Sequence, residues 1–245
     1  MINILQIFID LFCAPKCVGC GKQLDDSSLS MCDDCAILWL GAKSEICPSC
    51  VKSCDACGCL PPLLSGNAAP SAFPQWCAFY DTANRESVSS KMVYRLKTRS
   101  DRRLVRFIAK EMSAKMVTRL RKSNIAASDV VITFAPRSRE SIEKYGFDHA
   151  KMLAKEIAKI TNTEFAPLIK RVSGNVQKSL SYDERIENAA QSYKLNAKAA
   201  AKLTKKHAIL IDDVITTGST IAACQSLLPI PSTPVSFLKT KPKKF

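Results

Sequence analysis

The sequence lacks any hydrophobic run long enough to cross a lipid bilayer. A transmembrane helix needs about 20 consecutive apolar residues, and no stretch of the 245 residues approaches that length. The apolar segment 1–10 lacks the basic start and small-residue cleavage site of a secretory signal, and Asp10 interrupts it. We therefore expect a cytoplasmic protein. One helical face of this segment should dock against the protein or, alternatively, bind a membrane surface or partner, and it carries Ile4, Ile7, Phe8 and Leu11.

Acidic residues are scarce relative to basic ones. The chain has 22 Asp and Glu against 36 Lys and Arg, which gives a formal charge of +14. Such an excess suits anionic partners, namely phosphorylated substrates, nucleic acid or both. Apolar residues make up 47% of the chain, which is enough for a real core, and no low-complexity tract indicates wholesale disorder.

Cysteine is almost absent beyond residue 59, where only Cys77 and Cys224 remain of twelve. In a chain without a secretory signal, paired Cys-x-x-Cys units favour metal ligands over disulfides. The spacing predicts a structural zinc site with four thiolates, from Cys17, Cys20, Cys32 and Cys35.

A second set of cysteines follows directly. Its spacing predicts a second zinc site with the ligands Cys47, Cys50, Cys54 and Cys57. Cys59 is an alternative for one of these ligands, and Cys13 is spare. A thiol–disulfide redox role is the competing interpretation. Four thiolates leave no open coordination position, so we expect structural zinc at both sites.

The rest of the chain alternates strand and helix patterns, which predicts an α/β fold with a parallel sheet. We divide the chain into a cysteine-rich module at 1–60, a linker at 61–75 and an α/β domain at 76–245. Predicted strands cover 76–80, 129–134, 207–211 and 235–238. Predicted helices begin near Ser87, Ser100, Asp148, Ser181 and Ser219.

The strongest motif lies at residues 207–220. An apolar strand ends in Asp212 and Asp213, and a Gly-containing loop leads into a helix. Amide groups of such a loop, at the positive end of a helix, favour a phosphate dianion. The two carboxylates can accept hydrogen bonds from vicinal sugar hydroxyls. The pattern therefore predicts a sugar-phosphate site formed by Asp212, Asp213, Val214, Ile215, Thr216, Thr217, Gly218, Ser219 and Thr220.

This segment resembles the phosphoribosyl-pyrophosphate (PRPP) signature of type I phosphoribosyltransferases. The resemblance implies that Thr216–Thr220 hold the ribose 5-phosphate and that Asp212 and Asp213 hold the 2′- and 3′-hydroxyls. It also implies Mg²⁺ bound together with PRPP. On this basis Asp212 and Asp213 are the candidate catalytic residues.

The whole chain resembles the ComF family of competence-associated, phosphoribosyltransferase-like proteins, because cysteine knuckles precede a PRPP signature. Further matches are Tyr94–Lys97, Pro136–Arg137, and the residues Gln177, Leu180, Arg185 and Asn188. The resemblance implies that Lys97, Arg137 and Arg139 contact PRPP, with Lys144 nearby. Tyr145 and Asp148–His149 depart from the family's Arg-Gly-Phe-Asn-Gln block. We interpret His149 as a surface or cap-neighbour residue and His207 as structural.

The ComF resemblance implies phosphoribosyl transfer with release of pyrophosphate, and a role in DNA uptake beside a helicase-like partner. The alternative is a non-catalytic accessory protein that binds single-stranded DNA or a helicase and uses the PRPP site only for regulation. The basic residues between Arg95 and Arg106, followed by Lys115, Arg119, Arg121 and Lys122, favour this alternative.

Overall fold

The computed structural model describes residues 15–64, 73–172 and 191–242. Several sequence predictions lie outside these residues. They are the N-terminal helix, Cys13, the capping box that begins at Ser181, and the ComF-like residues Gln177, Leu180, Arg185 and Asn188.

The described chain contains seven strands: β1 (Gln75–Tyr80), β2 (Val130–Phe134), β3 (Glu164–Phe165), β4 (Ile169–Arg171), β5 (Tyr193–Leu195), β6 (His207–Ile215) and β7 (Ser232–Thr240). Five of them form one sheet in the order β1–β7–β6–β2–β3. All the pairings in this sheet are parallel. Strands β4 and β5 form a separate antiparallel pair. The predicted α/β class with a parallel sheet is confirmed.

The helices of the described chain are α1 (Asp33–Ser44), α2 (Val88–Thr98), α3 (Arg102–Lys122), α4 (Arg139–Tyr145), α5 (His149–Thr161), α6 (Ala197–Ala200) and α7 (Ser219–Leu227). The predicted caps Ser87 and Asp148 begin α2 and α5. The prediction that Ser100 caps α3 is wrong. Asp101 caps this helix instead, because its carboxylate accepts hydrogen bonds from the amides of Arg103 and Leu104, both at 3.0 Å.

The cysteine-rich module shares the core of the α/β sheet. Trp39 on α1 stacks on Phe237 of β7 with 5.1 Å between ring centroids. Its indole N–H donates to Glu111 on α3 at 3.2 Å. Cys17 and Val18 belong to the same buried cluster as the apolar face of α3. The module therefore packs into the domain rather than standing apart from it. Among the described residues, no helix combines the length and apolar character needed to traverse a membrane.

Candidate functional site

The two aspartates lie on β6, the middle strand of the five-stranded sheet. Asp212 is in register with Ser236 of β7, and Val214 with Leu238. Neighbouring residues of a strand point to opposite faces of the sheet. The Asp213 amide donates to the Asp212 carboxylate at 2.9 Å. Ligands of parallel α/β sheets bind beyond the carboxyl ends of the strands, and both aspartates lie near that end of β6.

Asp213 is a buried carboxylate with two cationic or titratable partners. Its Oδ2 lies 2.8 Å from Lys97 Nζ and 3.5 Å from His149 Nε2. Burial opposes ionisation of Asp213, but the hydrogen bond from His149 and the charge of Lys97 outweigh it and hold the pKa of Asp213 below its usual value. Burial also opposes the charge on Lys97, yet Asp213 and then Asp212 raise the pKa of this lysine. Asp213 is therefore ionised and paired.

Asp212 has the opposite electrostatic character. Its pKa is raised well above the usual value, first by burial of the carboxyl group and then by the negative charge of Asp213. Two adjacent carboxylates share a single lysine here, so the second of them ionises with difficulty. Asp212 as a whole residue is intermediate between buried and exposed.

Contacts join the Asp213 group into a closed ring around the edge of the sheet. The Arg137 guanidinium donates to the Lys97 carbonyl at 2.9 Å. The Arg137 amide donates to the Asp148 carboxylate at 3.0 Å. Asp148 caps α5, whose first residue is His149, and His149 completes the ring at Asp213. The ring fixes the end of α2, the loop after β2 and the start of α5 relative to β6.

The residues that depart from the ComF pattern belong to this ring or contact it. Tyr145 lies under the Arg137 guanidinium, 4.6 Å from ring centroid to Cζ. His149 does neighbour the cap, but the interpretation of it as a surface residue is wrong, because it is only 6% exposed and faces Asp213. Helical periodicity could not reveal this, since the contact depends on a strand far along the chain. His207 has the expected structural role at the start of β6, 2.8 Å from Thr233 Oγ1.

The predicted cations occupy different environments. Lys97 and Arg137 are engaged in the ring, as described above. Arg139 points to solvent with 85% of its side chain exposed, paired with Glu143 one helical turn away. Lys144 lies 5.3 Å from the Tyr145 ring centroid. Only Lys97 is therefore held directly against the aspartate pair.

The loop Thr216–Gly218 connects β6 to α7. Gly218 is the N-cap of α7 in the left-handed conformation, with φ of 88°, and no side chain caps the helix. Thr217 Oγ1 accepts from the Ser219 amide at 3.4 Å. The next amides of the first turn, those of Thr220 and Ile221, have no intrahelical partner of the usual kind. The loop therefore offers amide and hydroxyl donors at the positive end of a helix, which suits a phosphate.

A further cation near this loop escaped the sequence analysis. Arg171 on β4 donates to the Tyr193 hydroxyl at 2.9 Å, and Tyr193 also hydrogen-bonds with Thr220. Burial raises the pKa of Tyr193 to about 12, so the phenol stays neutral and can donate. No sequence signal marks this group, because two short strands bring Arg171 and Tyr193 together.

A cavity of about 1020 Å³ opens beside the ring. Arg137 and Asp148 form one wall, and the β4–β5 pair forms the other. Its remaining basic lining residues include Arg139, Lys151, Lys170, Arg171 and Lys194. The volume matches that of pockets for small organic ligands, and the lining favours an anionic one.

Two groups of four cysteines are arranged so that each could hold a zinc ion. The first contains Cys17, Cys20, Cys32 and Cys35, as the sequence predicts, with all sulfur atoms within 4.8 Å of one another. The second contains Cys47, Cys50, Cys57 and Cys59 within the same limit. The ligand set that includes Cys54 is thus corrected, because Cys59 takes the place predicted for Cys54. Cys54 begins a 3₁₀ turn and packs with Trp76 instead.

The thiols of each group have conflicting ionisation preferences. Burial opposes the ionisation of Cys17, but backbone amides, led by that of Cys20, outweigh it and lower its pKa to about 6. The Lys52 amide likewise lowers the pKa of Cys50 to about 6. Burial raises the pKa of Cys35 and raises that of Cys59 to about 12. A soft divalent cation resolves this conflict by binding all four sulfurs as thiolates.

Part of the basic stretch from Arg95 to Arg106 is engaged inside the protein. Arg95 donates to the carbonyls of Cys17 and Val18, both at 2.9 Å, and pairs with Asp101 at 2.6 Å. Arg103 donates to the carbonyls of Ser27 and Leu29. Two of the arginines that the nucleic-acid interpretation relied on therefore hold the first cysteine group in place.

The chain matches no protein-family model and no curated protein. Among solved structures it resembles a hypoxanthine phosphoribosyltransferase from Staphylococcus aureus, with a TM-score of 0.32 and 15% sequence identity. This likeness covers 57% of the chain and 67% of the S. aureus protein.

Proposed function

We propose that this protein binds PRPP at Asp212–Thr220 and transfers its phosphoribosyl group with release of pyrophosphate. The observation that carries the proposal is the placement of the aspartate pair. Asp212 and Asp213 lie near the carboxyl end of the middle strand of a parallel sheet, and a short loop leads from this strand into a glycine-capped helix. A ribose phosphate has vicinal hydroxyls at one end and a dianion at the other, and this segment complements both.

In this proposal the two ends of the ribose phosphate bind to different elements. Asp212 and Asp213 accept hydrogen bonds from the 2′- and 3′-hydroxyls, while the amides of Thr217–Thr220 hold the 5-phosphate. Lys97 keeps Asp213 ionised at 2.8 Å. Tyr193 lies beside Thr220 and adds a hydroxyl donor near the phosphate, and Arg171, which holds Tyr193, adds positive charge.

Transfer at C1 of the ribose passes through a cation-like transition state as pyrophosphate leaves. Mg²⁺ bound together with PRPP would supply positive charge to the leaving pyrophosphate and would need few ligands from this chain. The residues of this chain contribute by position and electrostatics, since the nucleophile belongs to the acceptor. The cavity lined by Arg137 and Arg139 is the proposed space for pyrophosphate and acceptor.

Calorimetric titration of the zinc-loaded protein with PRPP and Mg²⁺ tests the proposal. Wild type should bind, and the double variant Asp212→Asn/Asp213→Asn should lose binding at least about a hundredfold, because it changes two carboxyl acceptors, of which Asp213 is charged. Asp129→Asn, directly before β2 and at the opposite end of the sheet, is the control and should bind like wild type. A folded wild type without affinity for PRPP would refute the proposal.

Within this function we propose a ComF-type role in the cytoplasm, with DNA uptake as the process and a helicase-like protein as the partner. The support is the combination of paired cysteine groups with the PRPP-like segment in a single chain. Pull-down of a helicase-like protein by the full chain tests this role, and a comparison of transformation frequency with and without the gene tests the process.

A second candidate function is a single-stranded DNA accessory protein. It is favoured by the solvent side of helix α3, which carries Arg102, Lys110, Arg121 and Lys122. None of these four side chains forms an ion pair with a carboxylate of the described residues. Arg95 and Arg103 do not contribute, because the module engages them. Binding of single-stranded DNA that falls steeply with salt would support this function. Absence of binding at low salt would exclude it.

A further inference from the structure

The second cysteine group lies against β7. This strand pairs with β6, which leads into the loop at residues 216–218. We call these residues the phosphate loop, after the proposed function. Lys239 of β7 is only 2% exposed. Its Nζ lies 3.8 Å from Cys57 Sγ and donates to the Cys59 carbonyl. It also lies 4.3 Å from the centroid of the Trp76 ring. No carboxylate among the described residues pairs with this lysine, so the nearby group that would carry negative charge is the Cys57 sulfur, as a metal-bound thiolate.

Lys239 is also a neighbour of the phosphate loop through the backbone. In the sheet it is in register with Ile215, the last residue of β6 before Thr216. On its other side it is in register with Phe79 of β1. The side chain of Lys239 therefore contacts the cysteine group, while its backbone pairs with the strand from which the loop departs.

The segment that follows Cys59 contacts the same loop, at Thr217 and Gly218. Residues 61–64 end in a 3₁₀ turn, Pro62–Leu64, and the Leu63 amide approaches the Thr217 carbonyl at 3.4 Å. Leu64 packs so closely that a Cβ on Gly218 would lie 2.7 Å from its Cγ. Leu64 is buried together with Ile215 and Ile221, which flank the loop. This contact belongs to what the sequence suggested was a plain linker.

We propose that a zinc ion in the second cysteine group positions the phosphate loop, with Lys239 and Leu64 as the positioning residues. Four thiolates around Zn²⁺ carry two net negative charges, which match the buried ammonium of Lys239. Zinc fixes Cys59, and Cys59 in turn fixes the start of the segment that ends on Gly218. The loop is thus held on two sides by a group outside the sugar-phosphate site.

Hydrogen exchange of residues 215–220 tests the inference without any ligand. The full-length, zinc-loaded protein is compared with Cys59→Ser and with the matched variant Cys20→Ser of the first group. Exchange in the loop should become faster by about tenfold or more in Cys59→Ser. Without zinc at Cys59, the loop can open locally at a lower free-energy cost, because the contacts of Leu63 and Leu64 with the loop are weakened. It should stay near the wild-type rate in Cys20→Ser. Unchanged exchange in Cys59→Ser would overturn the inference.

Leu64→Ala removes the contact with Gly218 without changing a zinc ligand. It therefore tests the contact even if the cysteine variants misfold. It should keep the wild-type zinc content and accelerate loop exchange, while loop exchange as slow as in wild type would overturn the role of Leu64. Lys239→Met should weaken zinc binding at one of the two groups by about tenfold, because substitution of a residue that contacts metal ligands generally lowers the affinity for the metal. Equal zinc affinity in Lys239→Met and wild type would overturn the role of Lys239.

A second arm rests on the proposed function. In it, PRPP affinity should fall in Leu64→Ala and Cys59→Ser but not in Cys20→Ser. If wild type fails to bind PRPP, the proposed function fails, yet the exchange experiment still decides whether the second group positions the loop. If wild type binds and all three variants bind equally well, the inference fails and the proposed function stands.

Discussion

Gly218 is constrained both by its positive φ and by the side chain packed against it, whereas Gly146 of the candidate site is constrained by its positive φ alone. Both Gly218 and Gly146 have positive φ, 88° and 80°, but a Cβ would collide with Leu64 only at Gly218. A residue with a side chain pays a conformational cost in this region of about 1–2 kcal/mol. Substitution of Gly146 therefore measures the cost of the backbone conformation alone, whereas substitution of Gly218 also measures the cost of the collision with residues 61–64.

We expect Gly146→Ala to lower the free energy of unfolding by about 1 kcal/mol and Gly218→Ala by about 2–3 kcal/mol. Urea denaturation of the zinc-loaded variants measures both. Adding Leu64→Ala to Gly218→Ala should recover part of the larger loss, since it removes the colliding side chain. Equal losses at both glycines would show that the contact with Leu64 does not constrain the loop.

The aspartate pair should give stability effects of opposite sign. The folded-state pKa of Asp212 is raised, so as pH rises above about 4 the unfolded state loses this proton first and the folded state is penalised. The folded-state pKa of Asp213 is lowered, so it stabilises the fold above about pH 4 and this contribution disappears as pH falls.

Thermal unfolding at several pH values tests this pair. At pH 7, Asp212→Asn should raise the melting temperature and Asp213→Asn should lower it. The difference for Asp212→Asn should vanish as the pH falls below about 4, where this carboxyl group is protonated in both states. The difference for Asp213→Asn should begin to shrink below about pH 4 and should persist to lower pH, because folded Asp213 keeps its charge there. A shift of the same sign for both variants would contradict the assignment of the charged carboxylate to Asp213.

Among the elements, the two cysteine loops that begin at Cys17 and Cys47 repeat one backbone pattern. The Cys17 amide bonds to the Lys22 carbonyl, and the Cys47 amide bonds to the Lys52 carbonyl in the same way, at 2.7 and 2.8 Å. The fifth position of each loop has positive φ, with Gly21 in the first and Val51 in the second. A β-branched residue is strained in this region. Val51 is 77% exposed, so no packing explains its presence.

We therefore expect Val51→Gly to stabilise the zinc-loaded protein by about 0.5–1 kcal/mol, the steric relief less the added chain entropy of glycine. Gly21→Val should destabilise it by a similar amount, because a Cβ at this position meets only Arg95, at 3.9 Å. Urea unfolding curves decide both signs. Destabilisation by Val51→Gly would mean that the Val51 side chain has a contact worth more than the strain.

The elements also show which parts of the site the sequence could predict. The strand, the loop at 216–218 and the helix that follows were predictable, because an apolar strand, paired carboxylates and a Gly-containing helix start are all local signals. The ring was not, because Asp148 and His149 meet Arg137 and Asp213 only after strands distant in sequence align. Nothing in the segment 145–149 marks a buried contact.

The second cysteine group shows a different limit of sequence spacing. Counting residues favoured Cys54 and Cys57 as a Cys-x-x-Cys pair, and left Cys59 as an alternative. The chain turns at Cys54 into a 3₁₀ helix, which directs this thiol towards Trp76 and away from the sulfur cluster. Strands β3, β4 and β5 were missed for a simpler reason, since two or three residues are too few to show periodicity.

Across the whole molecule, both tryptophans lie between the cysteine module and the sheet. Trp39 stacks on Phe237, and Trp76 is buried with Cys47, Cys54 and Cys57. If zinc holds the cysteine groups, a strong chelator should expose both indoles, shift their emission to longer wavelength and lower the melting temperature of the sheet. Fluorescence and thermal unfolding with and without chelator measure these changes.

The variant Trp39→Phe isolates the signal from the second group. Its remaining emission should shift with the loss of zinc near Trp76, and adding zinc back should restore the spectrum. An emission spectrum that ignores the chelator, in a protein shown to have lost its zinc, would mean that the metals do not support the contact between module and sheet.

The order of the strands also sets the order in which the molecule can assemble. Within the part of the chain that the structure describes, β1 is the first strand of the sheet to leave the ribosome, and its sole partner is β7, the last. Until β7 emerges, β1 has no neighbour and Trp39 has no Phe237 to stack on. Such distant pairings slow folding and leave apolar edges exposed in the meantime. If zinc holds the cysteine loops between residues 15 and 59 before the sheet is complete, it gives the nascent chain local structure during this wait, and zinc supply then affects the yield of folded protein before any ligand is bound.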